Sequence, residues 1–114
     1  MNRWKGCVMS EVVVAGVGMV PFTKPRKSMN YVEMGQTAVR AALRDAGVDY
    51  TSIQQAYAGY VYGDSASGQN VVYGMGLTGI PVVNVNNNCA TGSSALWLAR
   101  QAWSTAPWPS ASSR

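Results

Sequence analysis

The first apolar stretch, Val12-Val13-Val14-Ala15, follows Glu11 and ends at Gly16. This β-branched run predicts a buried strand over residues 11–16 that leads into a turn at Gly16 and Gly18. Residues 20–29, VPFTKPRKSM, interrupt the apolar pattern with two prolines and three cations and read as a loop. Then the spacing changes. Val32, Val39, Leu43 and Ala46 recur at helical intervals, Asn30 and Glu33 stand at capping-box distance, and Gly47 closes the run, predicting a helix over about 30–46.

After a short turn at 51–54, the tyrosines Tyr57, Tyr60 and Tyr62 among small residues predict a strand over 56–62. A loop over 63–68 and one or two helical turns over 69–75 follow, and Gly79-Ile80-Pro81 introduces a third apolar run, PVVNV, with Pro81 in its first position. The next segment, ATGSSALWLARQ, suits a helix up to residue 101. Strand, helix, strand, short helix, strand, helix is the order of an α/β unit, layered around a mainly parallel sheet. No internal repeat interrupts that order.

Length confines this pattern to one small domain, since 114 residues bury only a modest share of their surface. The sequence divides into an amino-terminal extension over 1–10, a domain over 11–101, and a Ser-, Pro- and Trp-rich tail over 102–114 that reads as unrelated and disordered. Apolar residues make up 47% and charged ones 12%, which suits a packed core and argues against general disorder. No apolar run reaches the length of a membrane span, and MNRWKGCVMSE lacks the apolar stretch of a secretory signal.

The net charge of +4 is unevenly spread: Asp45, Asp49 and Asp64 are the only charges between residues 45 and 99. Cations gather at Arg3, Lys5, Lys24, Arg26 and Lys27. A solvated loop is the plain reading of this cluster; nucleic acid, an anionic membrane or a phosphorylated ligand are the alternatives. Chemistry is limited more sharply by what is missing. With no histidine, a Cys/His or Ser/His pair cannot be completed from these residues, and Cys7 and Cys89 are too few for a disulfide framework or a four-cysteine zinc site. No metal is expected, and a reducing compartment is the default.

Cys89 is the candidate catalytic residue. It follows PVVNV and three asparagines, Asn86-Asn87-Asn88, and precedes a helical segment, so it falls where a strand turns into a helix. Asparagines tolerate left-handed backbone, and the small Ala90, Thr91, Gly92, Ser93 and Ser94 leave room for a ligand. Amides at a helix start favour anions, whether a thiolate or an oxyanion, as in the serine elbow of α/β-hydrolases. The competing reading makes Cys89 a buried small apolar residue at the sheet edge.

The string Val85-Asn86-Asn87-Asn88-Cys89-Ala90-Thr91-Gly92-Ser93-Ser94-Ala95-Leu96 resembles the nucleophile motif of the thiolase family. GYVYGDSASGQ upstream and VVVAGVGMVPF near the start extend the resemblance over roughly residues 11–101. It implies the amino-terminal part of a partial thiolase-like fold belonging to a longer parent with two similar halves. The family carries its nucleophile on a buried helix of the first half and takes the activating histidine and a second cysteine from the second. By that resemblance Cys89 accepts an acyl group from 3-oxoacyl-CoA as a thioester and coenzyme A, a substrate and not a resident cofactor, removes it. Only Cys89 carries over; Cys7 lies outside the matched region. The resemblance also implies a peroxisomal setting in fatty-acid and sterol side-chain oxidation, although Ala-Ser-Ser-Arg at residues 111–114 is not a Ser-Lys-Leu type signal. Cytoplasm is the alternative compartment.

By the same resemblance, Gly68-Gln69-Asn70 and Val83–Val85 fall near a subunit interface. From the residues alone Gly68 is a turn residue, and Val82, Val83 and Val85 are core. Three other functions compete: a non-catalytic half that dimerises with a full-length thiolase, lipid or sterol carriage by family association, and a related condensing enzyme. Carriage requires an enclosed apolar cavity, which nothing in the sequence marks.

Overall fold

A computed structural model of the chain describes residues 12–105, so the expectations about Arg3, Lys5, Cys7 and residues 106–114 lie outside the described residues. Helix α1, Tyr31–Ala46, starts where Asn30 in extended backbone accepts the Glu33 N–H through its side chain at 2.9 Å. It stops at Gly47, which adopts φ 66° and returns its N–H to the last helical carbonyls. Both ends are those the Asn30/Glu33 spacing and the glycine specify.

Strands β1, Ala56–Gly59, and β2, Val82–Val85, pair in parallel with Ala56 opposite Val82 and Gly59 opposite Val85. The crossover between them contains α2, Ser67–Met75. It packs closely on the face that carries Ala58, Val82 and Asn84, because a Cβ on Gly68 would come within 2.6 Å of the Ala58 Cβ. Helix α3, Thr91–Thr105, meets the opposite face at Gly59, where a Cβ would come within 2.8 Å of the Thr91 methyl. The sheet therefore lies between α2 and α3. Outside it, α1 packs on α2, with Gly35 against Val71.

Several sequence expectations need correction. Val12–Ala15 is not a strand: Val13 and Val14 are 72% and 71% exposed, and the chain reaches α1 only after it, at Gly16–Gly18. Gly16 lies against Ala42 and Ala46, and the Val17 N–H donates to the Asp45 carboxylate at 2.9 Å. A β-branched run becomes a strand only with a ladder partner, and the sheet among the described residues holds only β1 and β2. β1 ends at Gly59 and not at 62; the Tyr60 N–H makes a last bond to the Val85 carbonyl, and the chain then turns into an exposed loop. β2 begins at Val82, and Pro81 contributes only its carbonyl, to the Ala56 N–H. α3 continues to Thr105, past the expected boundary at 101, since nothing from Ala102 to Thr105 breaks a helix.

Among the described residues the apolar core is small: Val72 and Ala95 are the buried hydrophobic side chains. Val82 and Val85 are half-buried, whereas Val83 is exposed, contrary to its assignment as core. In a two-stranded sheet both strands are edges, and each lacks a neighbour on one side. No helix among the described residues is long and apolar enough to cross a membrane.

Candidate active site

Between the end of β2 and the start of α3 the chain passes through Asn86 to Ala90, and Asn88–Ala90 forms a single 3-10 turn. Asn88 has φ 48° and is the only non-glycine residue with positive φ among the described residues. This left-handed residue re-aims the chain into Cys89, which is exposed. The asparagine run and the strand-to-helix turn are thus placed as the sequence predicts. Exposure excludes a buried, apolar Cys89.

The turn is held by short polar contacts. The Thr91 hydroxyl accepts the Asn87 N–H at 2.8 Å and donates to the Asn88 carbonyl at 2.7 Å. The Asn87 side-chain amide donates to the Ser94 hydroxyl at 2.9 Å, and the Asn88 N–H donates to the Asn86 side chain at 3.2 Å. Thr91 is buried, while Gly92 and Ser93 are exposed, and a Cβ on Gly92 would meet nothing within 4 Å. The approach over the first turn of α3 is open. Implied burial of the nucleophile's helix is not seen: Leu96 and Trp97 are 66% and 56% exposed, because the sheet covers α3 on one side only.

Sequence reasoning missed the polar contacts behind the elbow. The Gly68 N–H donates to the Asn84 side-chain oxygen at 2.8 Å, and the Asn84 amide donates to the Gln69 side chain at 2.7 Å. Gly68 is therefore a buried residue of α2 and not a turn residue, with its N–H capped from β2. A lone asparagine inside PVVNV was the available signal. On the far side of α2 the Asn70 amide donates to the Tyr31 hydroxyl, which donates to Asp64, both at 2.7 Å. This pins the loop before α2 to α1.

Lys24, Arg26 and Lys27 of the basic cluster are exposed around a 3-10 turn at Pro25–Lys27. Beyond the end of α1, an open groove of about 490 Å³ is bordered by Arg40, Arg44, Asp49 and Tyr50, with Leu43 and Val48. Its charged lining and openness are unlike the enclosed apolar cavity of a lipid carrier. Among the described residues no three cysteine or carboxylate side chains gather as a metal site.

A small parallel sheet between helices, with a cysteine at a strand-to-helix turn, defines an α/β protein. Residues 12–106 match the family model for the thiolase amino-terminal domain, and the chain belongs to the thiolase family. It is 55% identical over 92 residues to sterol carrier protein 2 of Gallus gallus, covering 79% of this chain and 17% of that protein. To benzoylsuccinyl-CoA thiolase subunit BbsB of Thauera aromatica it is 33% identical over 91 residues, covering 78% and 23%. The chain thus spans about a fifth of the length of these relatives. Among solved structures, 3-oxoacyl-(acyl-carrier-protein) synthase III from Aquifex aeolicus VF5 aligns with a TM-score of 0.58 at 17% identity, covering 68% of this chain and 26% of that one. That likeness concerns the fold alone.

Proposed function

We propose that this chain carries the acyl-accepting cysteine of a 3-oxoacyl-CoA thiolase, and that Cys89 is that residue. The observation that carries the reading is an exposed Cys89 directly after the left-handed Asn88, inside the segment that matches the family. In the proposed reaction the Cys89 sulfur attacks the 3-oxo carbon of the substrate. The bond between C2 and C3 then breaks, its electron pair stays on C2 and is protonated, and the acyl group remains as a thioester on Cys89. Coenzyme A attacks that thioester through its own thiol and leaves as acyl-CoA, which returns the proton and the free cysteine. By the resemblance, the histidine and second cysteine that move these protons come from the second half of a longer parent, so the 114 residues alone, which hold no histidine, are expected to show no sustained turnover. We infer peroxisomal fatty-acid and sterol side-chain oxidation as the setting, on the resemblance already described.

Intact-mass measurement tests the central step. Because thioester exchange needs no carbon–carbon cleavage, incubation with a saturated acyl-CoA should add a mass equal to the acyl group, mapped to Cys89, absent in Cys89→Ser and matched by release of coenzyme A. No adduct on a Cys89 that iodoacetamide still labels would reject the assignment.

Exposed Val13, Val14, Leu96, Trp97 and Trp103 favour a second reading, a non-catalytic half that pairs with a full-length thiolase. Co-purification with that enzyme, undiminished in Cys89→Ser, is its expected signature; failure to co-purify removes it.

A further inference from the structure

We infer that Thr91 is the positioning residue of the elbow, and that its hydroxyl fixes the peptide plane from which Cys89 projects. This rests on Cys89 being the acyl-accepting nucleophile, and it assigns the residue that holds that nucleophile in place. Thr91 is 6% exposed, so its hydroxyl is shielded from the water that would otherwise compete for its partners. One hydroxyl serves both sides of the left-handed residue: it accepts from the Asn87 N–H and donates to the Asn88 carbonyl. The Thr91 N–H bonds the same Asn88 carbonyl, which is therefore held twice.

The consequence for Cys89 is geometric. The Asn88 carbonyl and the Cys89 N–H belong to one planar trans peptide and point in opposite directions. Holding the carbonyl inward over Thr91 turns the Cys89 N–H to the other side and fixes the Cα from which the thiol leaves. Asn88 at φ 48° would otherwise relax, since left-handed backbone is disfavoured without such support. Meanwhile the Thr91 methyl seats on Gly59 of β1, where no larger residue fits. Hydroxyl and methyl thus have separate tasks. The hydroxyl orients the nucleophile, and the methyl packs the helix on the sheet.

Two variants of the 114-residue chain separate the tasks. Thr91→Val keeps shape and methyl but removes the hydroxyl, whereas Thr91→Ser keeps the hydroxyl and leaves a gap over Gly59. The readout is the rate of Cys89 alkylation by iodoacetamide, followed by peptide mapping with circular dichroism as the check on folding. The valine variant, which loses both hydrogen bonds of the hydroxyl, should react at least about fivefold more slowly, the equivalent of one of them. The serine variant should stay within about twofold of the parent even though its packing is weaker. A valine variant at the parental rate, or a serine variant as slow as valine, overturns the inference. If the valine variant does not fold, hydrogen exchange of the Asn87 amide in the parent chain decides: protection supports the clasp, and exchange at the rate of an unstructured peptide overturns it. Alkylation needs no acyl-CoA. A missing acyl adduct with the alkylation pattern intact would therefore reject the thiolase reaction and leave the clasp standing.

Discussion

Asn88 carries the only left-handed backbone outside glycine among the described residues, and it directly precedes the candidate nucleophile. Asparagine suits the position because its short polar side chain tolerates φ near 48°, while a β-branched side chain there costs roughly 1–2 kcal/mol. We expect Asn88→Gly to preserve the turn and Asn88→Val to speed amide exchange across Asn87 and Asn88; equal exchange in both variants would show that the left-handed residue is not required. At the site itself, Cys89 stands exposed in the turn that leads into a 15-residue helix, open to a small alkylating reagent. Limiting iodoacetamide should therefore label Cys89 ahead of Cys7, and preferential labelling of Cys7 in folded chain would contradict this. The sequence made the elbow legible because three asparagines, a cysteine and a run of small residues are local signals. The part played by the Thr91 hydroxyl was not legible, since a buried threonine beside an exposed cysteine leaves no periodic mark.

At the level of elements, α1 could be read from its own residues because both of its caps are local, Asn30 with Glu33 at one end and Gly47 at the other. α2 could not be bounded that way. Its N-cap, Ala66, makes no side-chain cap, and the oxygen that takes the Gly68 N–H comes from Asn84, sixteen positions along the chain. Gly68 looks like a turn residue until Asn84 is placed beside it. Val12–Val14 fails for the reverse reason: its β propensity is local, but a strand needs a partner, and the sheet pairs only β1 with β2. Replacing Asn84 by leucine should leave the Gly68 N–H buried and unpaired, at a cost of about 1–3 kcal/mol. Faster amide exchange at Gly68 and Gln69 is the expected sign. Unchanged exchange there would show that Asn84 does not hold α2.

For the molecule as a whole, the balance of covered and uncovered apolar surface governs behaviour. Val72 and Ala95 are the buried hydrophobic side chains among the described residues, whereas Val13, Val14, Leu96, Trp97 and Trp103 are each more than half exposed. A core of this size yields hydrophobic gain that scarcely exceeds the chain-entropy cost. Both strands of the two-stranded sheet are edges, which adds backbone groups able to pair with another chain. The exposed Val13 and Val14 and the exposed face of α3 supply apolar patches as well, and such patches drive association. The 114-residue chain should therefore sediment as associated species, with a mass that rises with concentration and a broad thermal transition. Leu96→Glu with Trp97→Lys would place charge on the uncovered side of α3 and lower that association, while leaving Thr91 and Ala95 on the sheet. A monodisperse monomer with a sharp cooperative melt would overturn this expectation and show that the small core suffices.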